Sequence, residues 1–339
     1  MKTFNIPVFV PHKGCPHDCI FCNQKRITGK IDDICETEVV SIIEENLKSI
    51  NSFDGEKYIE IAFFGGSFTA IEKSLRESLC KIAHKYLKEG QINGIRCSTR
   101  PDCIDDEILK ELKEYGFTAI ELGVQSTDDD VLLKSGRGHN SEVVFYASNL
   151  IKEYGFSLGL QMMIGLLGDT YEKSIKTAKD IISLKPDCVR IYPTLVIKDT
   201  HLYDMMQNGD YTPITLDYTV KILGEILDMF YKEKINVIRV GLQTTDEVNQ
   251  KTVTGPYHPA IRELAEGELF KNKIEKYIVD KNLKDASLTV FAHSKSISKI
   301  SGQNKKNSKY FYQKYKIKLS FKKDNTIDEY DFKIAKADF

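Results

Sequence analysis

Cys15, Cys19 and Cys22 stand at Cys-x3-Cys-x2-Cys spacing in the stretch PHKGCPHDCIFCNQ, just after a short apolar run that ends at Val10. Three thiolates in one short loop can wrap three corners of an iron–sulfur cubane and leave the fourth iron without a protein ligand. An open coordination position on a redox-active group suits catalysis, as it does on catalytic zinc. Gly14 and Pro16 suit the tight path of such a loop. Two other readings use the same residues: a structural zinc site completed by His12 or His17, or three packed thiols. The remaining cysteines, Cys35, Cys80, Cys97, Cys103 and Cys188, form no second CxxC pair and read as buried small hydrophobes.

The elements that must hold this loop alternate along the chain. Apolar runs predict strands at Ile6–Val10, Tyr58–Phe64, Gly94–Ser98, Ala119–Val124, Ser157–Ile164, Asp187–Tyr192 and Asn236–Val240. Helical periodicity predicts helices at Glu38–Ile50, Ile71–Glu89, Asp105–Tyr115, Ser141–Tyr154, Tyr171–Leu184 and Leu216–Lys232. Glycine stops at Gly90, Gly116 and Gly155 and an N-cap at Asp105 support the boundaries. Strand–helix alternation means a parallel sheet with right-handed crossovers, either barrel-like or doubly wound. In both architectures function belongs on the loops after strand C-termini. The distinctive stretches fall there: FFGGSFT, CSTRPD, ELGVQS, SGRGH, LQMMIGLLGDT and VRIYPTLVIKDT. Met162 and Met163 read as core. Past about residue 285 the pattern changes to a strand at Ser287–Ala292 and then a hairpin of Tyr310–Phe321 and Thr326–Ile334 around Lys322–Asn325.

With 339 residues, 41% of them hydrophobic, the chain can bury a sizeable core in one barrel plus an appendage. Net charge is −1 but uneven: from residue 271 onward there are 17 Lys and no Arg against 8 Asp plus Glu, a balance of +9. Such a segment either meets an anionic partner or is a solvated Lys-rich surface. Its aromatic–basic alternation, YFYQKYKIKLSFKK with Tyr310, Tyr312 and Tyr315, reads as an amphipathic strand or as a stacking surface for nucleic acid. No signal-like or membrane-spanning apolar stretch is visible, which predicts a soluble, cytoplasmic protein with no membrane partner.

CPHDCIFC after a first strand resembles the signature of the radical S-adenosylmethionine (SAM) superfamily, with Phe21 in the aromatic-like position before the last cysteine. FFGGSFT is similar to its glycine-rich motif. The ordered set of stretches, over roughly residues 5 to 265, resembles the radical SAM half of the Elongator catalytic subunit and its short bacterial relatives that lack the acetyltransferase domain. The oxygen-independent coproporphyrinogen oxidases share the frame more loosely. The resemblance implies a [4Fe–4S] cluster on Cys15, Cys19 and Cys22, and S-adenosyl-L-methionine contacted by Gly65, Gly66, Ser98, Gln125, Arg137 and Gln161. Gln161 stands where that family has an acid and Ser98 where it has a glutamate.

The side chains suit those roles. Gly65 and Gly66 let the backbone approach a ligand. The Arg137 guanidinium can pair bidentately with a carboxylate, or else is a helix-surface cation. Gln125 and Gln161 offer donors and acceptors to ribose hydroxyls, and Ser98 a hydroxyl. Glu121, four residues before Gln125 and so on the same strand face, reads as lining the barrel or joining a buried polar network. Arg100 and Asp102 sit beside the site, although Asp after Pro is often a turn residue.

The implied fold is α/β, a partial (β/α)6 TIM-like barrel of the radical SAM type with a small C-terminal α+β extension. Residues 1–284 would form the core, with a closing strand and helix near 235–280, and residues 285–339 the Lys-rich extension. The implied activity is one-electron cleavage of SAM to a 5′-deoxyadenosyl radical, fed by a flavodoxin or ferredoxin. The expected purpose is RNA (tRNA) modification, with the basic tail as anchor. The alternatives are a small-molecule substrate such as a tetrapyrrole, with the tail as a lid, and a noncatalytic metal-bearing RNA-binding protein. Without a second cysteine cluster the twitch and SPASM groups do not fit, and with the chain ending at Phe339 no acetyltransferase step is expected.

Overall fold

A computed structural model describes residues 2–10, 15, 17–22, 34–242 and 251–336. Within it, β1 (Lys2–Val10), α1 (Glu36–Asn51), β2 (Lys57–Gly65), α2 (Lys73–Lys88), β3 (Gly94–Thr99), α3 (Asp106–Glu114), β4 (Phe117–Gln125), α4 (Asp129–Lys134), α5 (Ser141–Glu153), β5 (Ser157–Ile164), α6 (Tyr171–Ser183) and β6 (Cys188–Pro193) repeat the strand–helix unit. A short strand β7 (Val196–Ile197), α7 (His201–Asn208), α8 (Leu216–Lys232), β8 (Asn236–Val240) and β9 (Thr252–Thr254) follow. The last elements are α9 (Ile261–Asp280), β10 (Ser287–Ala292), α10 (Ile297–Ser301), α11 (Lys306–Tyr315), β11 (Lys318–Lys323) and β12 (Phe332–Lys336).

Seven strands form one sheet in the order β1-β2-β3-β4-β5-β6-β8, and every pairing from β1 to β6 is parallel. It is the curled half-barrel anticipated above. Side chains alternate across it. Ile61, Phe63, Ile95, Cys97, Ile120, Leu122, Leu158, Leu160, Val189 and Ile191 are buried on the face the helices cover. The other face carries Glu60, Arg96, Ser98, Glu121, Gly123, Gln161 and Arg190, so a chemically rich surface lines the inside of the curl.

The helices that fix the strand spacing begin on strong caps. Asp105, Asp128, Asn140, Thr170, Thr200 and Thr215 each accept the backbone N–H three residues on. Each such cap is worth about 1 kcal/mol against alanine. The Asp105 cap stands where the sequence put it.

By packing, the chain forms two compact units, Met1–Pro213 with Leu242–Gly255, and Ile214–Gly241 with Pro256–Phe339. The second unit thus takes in α8 and α9 as well as the tail, and the shift to Lys-rich composition near residue 285 marks a change of charge rather than of packing. In this unit Phe270, Ile274, Ile278, Leu288, Val290, Phe311 and Ile317 are buried.

The expected hairpin is corrected. Tyr310–Tyr315 is helical, and β11 and β12 flank β10 on opposite sides, β11 parallel and β12 antiparallel to it. Two observations give the reason. Asn307 and Phe311, four apart, are the buried positions of a helix turn. β10 is the most apolar strand of the three and takes the centre, leaving the Lys-rich strands as edges, where charge deters further pairing.

Candidate functional site at the strand ends

The cysteine loop leaves the C-terminal end of β1 and is stitched to the loop after α4: Ile20 N–H donates to Ser135 O at 3.2 Å, and Ile20 O accepts from Leu202 N–H at 2.8 Å. Ile20 and Phe21 pack against Val196, Leu202 and Tyr211. Gly138, at φ +72°, lies so close to His17 that a Cβ would meet its ring at 2.3 Å, and its left-handed backbone favours glycine. Cys22 N–H donates to Cys19 O at 3.0 Å.

Two guanidinium groups converge on Cys19. Arg137 Nη1 donates to its sulfur at 3.3 Å, and Arg100 Nη1 stands 3.9 Å from the same atom. Arg137 is buried, not a surface cation, and its Nη2 donates to Gly123 O at the end of β4. Arg100 Nη2 donates to Arg137 O, and a bidentate pair with Asp102 (2.9 and 2.8 Å) fixes its plane. Asp102 is therefore more than a turn residue. Burial pushes the Cys15 thiol up, against the opposing pull of the Ser67 backbone N–H and the Arg100 and Arg137 cations.

Gly65 ends β2 at φ +117°, where an added Cβ would meet Val10 O at 2.4 Å; the position demands glycine. Gly66 N–H donates to the same Val10 oxygen at 3.4 Å. Beside this turn Ser67, Thr69 and Thr99 share a buried hydroxyl cluster at 2.6–2.7 Å. Gln125 ends β4 in the left-handed region, φ +68°, where the pairing with β5 shifts register. Such strained backbone gathers at functional sites. Ser98 and Gln161 occupy the inner face, Ser98 in register with Glu121, and Gln161 with Gly123 and Arg190.

Glu121 belongs to a buried ion-pair network. It meets Arg96 at 3.0 Å and accepts two bonds from Arg190, while Arg96 also pairs with Glu60 at 3.0 Å. The sequence placed Glu121 on the correct face but not its partners. Arg96 and Arg190 show the same strand alternation and were findable by it.

The residues fit the two groups the motifs imply. Gln125 Oε1, Ser98 Oγ and Arg137 Nε are buried polar atoms with no partner in the structure, a set a polar ligand would satisfy. None of the three cysteines is in a disulfide, and Cys19 faces cationic donors. Among the described residues no three His, Cys, Asp or Glu side chains gather around one metal ion. A cubane, which takes each thiolate at a different iron, does not ask for such a gathering. His12 lies outside the described residues, and His17 packs on Gly138, 3.9 Å from Asp102. Cys80, Cys97 and Cys188 are buried as expected, but Cys35 is exposed and Cys103 half-buried, since each lies just outside a sheet or helix core. No helix among the described residues is long and apolar enough to cross a membrane.

Behind Arg137, burial and the neighbouring Arg137 cation hold the His139 imidazole down to about 4. The unfolded chain titrates this group near 6.5, so it binds the proton first as pH falls. Stability is then full above about pH 6.5 and drops by on the order of 3 kcal/mol toward pH 4. Denaturant titrations at neutral and at acid pH should show this loss, and His139→Gln should reduce it. An unchanged pH slope in that variant would remove His139 as its source.

Comparison with known proteins bears on the family and the fold. The profile described as radical SAM superfamily matches residues 9–181, and that of the radical SAM C-terminal domain matches residues 186–271. A tRNA uridine(34) acetyltransferase of Methanocaldococcus infernus is 32% identical over 186 residues, 49% of this chain and 35% of that protein. This chain thus spans about a third of that relative's length. An uncharacterised protein of Methanocaldococcus jannaschii is 29% identical over 242 residues, 67% of this chain and 72% of its own. The solved structure of M. infernus Elp3 lacking its first 46 residues overlays with a TM-score of 0.62 at 23% identity, covering 83% of this chain and 64% of that one, a likeness of fold.

Proposed function

We propose, for a chain that belongs to the radical SAM superfamily, that Cys15, Cys19 and Cys22 hold a [4Fe–4S] cluster, that SAM binds beside it, and that the substrate is an RNA, of the tRNA class. One juxtaposition carries the reading: the Cys19 sulfur lies 3.3 Å from a buried guanidinium, at the strand ends that also present Gly65 and the unpartnered Gln125 Oε1. When bound, the reduced cluster supplies the electron that splits SAM into methionine and a 5′-deoxyadenosyl radical able to take a hydrogen atom from a substrate.

The protein's own groups prepare that event. Arg100 and Arg137 direct N–H donors at the Cys19 sulfur. With its remaining donors Arg137 can receive a carboxylate. Gln125 and Ser98 can receive hydroxyl or ammonium groups of the nucleoside and amino acid ends, and Gln161 stands on the same face. Gly65 lets backbone amides reach the ligand. The electron comes from a flavodoxin or ferredoxin. RNA as substrate rests on the relative named for tRNA uridine(34), and on the +9 balance of the tail.

Protein reconstituted anaerobically with iron and sulfide, and given SAM, dithionite and unmodified tRNA, should release 5′-deoxyadenosine and leave a mass change on a tRNA nucleoside. SAM cleavage that a tetrapyrrole stimulates and tRNA does not would overturn the RNA half of the reading. Arg137→Ala should weaken SAM binding roughly tenfold to hundredfold, the effect of losing a charged hydrogen-bond partner, with iron content near wild type. Unchanged SAM affinity by calorimetry would remove Arg137 from the site.

A further inference from the structure

Helix α11 divides its side chains between two tasks. On one side Phe311 is fully buried, and Asn307 Nδ2 donates to Gly267 O and Ile300 O at 2.8 and 3.0 Å. Tyr310, Lys314 and Tyr315 all converge on the Glu275 carboxylate. The opposite stripe is Ser308, Lys309 and Tyr312 on one face of the helix, extended by Lys305, the left-handed residue just before it. Together with Ile317, Lys318 and Leu319 it lines a shallow groove of about 300 Å³. Lys305, Lys309 and Lys318 are exposed and make no ion pair with any described residue. Tyr312 is 49% exposed, with the Lys316 ammonium 5.6 Å from its ring centre.

Edge-strand protection explains Lys318, Lys322 and Lys323 on β11. It does not explain two further lysines and a half-exposed aromatic ring on and just before a neighbouring helix, arranged around an apolar floor. An acidic peptide is matched best by arginine forks, and this segment has no Arg at all after residue 271. Lysine point charges suit phosphates, and an exposed aromatic face suits a base of any sequence. Lys305, the left-handed residue just before α11, and Lys309 on it line the same groove, so both can serve the backbone of one short strand.

We infer that this groove holds an unpaired stretch of RNA, its phosphates on Lys305, Lys309 and Lys318 and a base stacked on Tyr312 above Ile317 and Leu319. The inference rests on the RNA reading of the preceding section and locates where the RNA is held. Lys314, engaged by Glu275, takes no part.

The test is fluorescence anisotropy of the full chain with a labelled single-stranded RNA on the order of a dozen nucleotides long, within the range of known single-strand sites. The variant Lys305→Gln, Lys309→Gln, Lys318→Gln should flatten the salt dependence of log affinity by about 2, from roughly 0.7 for each lost phosphate contact. Tyr312→Ala should lose roughly fivefold to hundredfold in affinity, while Tyr312→Phe should keep it. All these side chains are exposed or groove-lining, so thermal unfolding and SAM cleavage should stay at wild-type values. Salt-dependent RNA binding by the wild type that neither variant weakens would overturn the groove and leave the RNA reading standing. No RNA binding by the wild type would overturn both. Loss of binding in the lysine variant with no effect of Tyr312→Ala would reduce the groove to a charge patch and overturn it as a nucleotide site.

Discussion

Alanine at Cys15, Cys19 or Cys22 is expected to abolish both retention of iron and sulfide and formation of 5′-deoxyadenosine, while alanine at Cys80 or Cys188 leaves both near wild type. Each of the first three thiolates would bind a different iron, so no remaining ligand replaces the lost one. Cys19 is the most exposing case. Its sulfur receives the Arg137 N–H at 3.3 Å, and with the sulfur gone two buried guanidinium groups would face an empty space. Cys80 and Cys188 differ in kind: both are buried, and burial pushes their thiols up, Cys188 to about 11. A thiol held protonated is a poor ligand. The measurement is iron and sulfide per chain after anaerobic reconstitution, followed by product analysis with SAM and dithionite. A Cys19→Ala protein that kept its cluster and still made 5′-deoxyadenosine would sink the assignment. Zinc in place of iron and sulfide in the wild type would do the same.

Much of the fold was legible because local signals agreed with the global pattern. Strands β5, β8 and β10 and helix α8 carry the bounds that alternation and capping predict, residue for residue. Their edges coincide with strong punctuation, such as the Thr215 cap before α8. The tail was misread for a definite reason. Tyr310 and Tyr312 alternate as on a strand, while Asn307 and Phe311 stand four apart as on a helix, and short segments cannot separate these without knowing what they pack on. Gly267 O and Ile300 O, far off in sequence or across a turn, decide for the helix by accepting from Asn307.

The site was legible where chemistry is written into one loop, and less so where it is assembled from several. The cysteine spacing and the glycine pair announce themselves, and Gly65 proves to be a position no other residue fits. Arg137 was found through its motif, but its burial against Cys19 comes from the meeting of two loops 118 residues apart. Arg100 was seen as a neighbour only, since the bond that makes it part of the site, to Arg137 O, links the end of β3 to the loop after α4. Pairings across a parallel sheet obey register, and register between distant strands is set by the whole fold.

Glu121→Leu is expected to cost about 3–5 kcal/mol of stability, the usual penalty for removing one member of a buried ionic set. That is a large part of the 5–15 kcal/mol that holds a typical domain together. The side chain is 1% exposed and is the shared partner of Arg96 and Arg190, themselves only 12% and 14% exposed. Arg96 would keep Glu60, but Arg190 would lose its carboxylate and keep uncharged neighbours, Tyr192 and the face of Phe64, 5.6 Å from its guanidinium carbon. Removing all the charges together should behave differently. Arg96→Met, Arg190→Met, Glu121→Leu and Glu60→Leu in one chain leaves no uncompensated ion, and such replacements are often neutral or stabilising by about 1–4 kcal/mol. Urea unfolding of the two variants separates an electrostatic cause from a packing one: equal losses in both would mean that shape, not charge, is what Glu121 supplies. SAM affinity of the fourfold variant then tests what the charges do for function. Ser98 stands in register with Glu121 and Gln161 with Arg190, so if the network fixes those two strands for ligand binding, a stable apolar replacement should bind SAM more weakly despite leaving every predicted SAM contact in place.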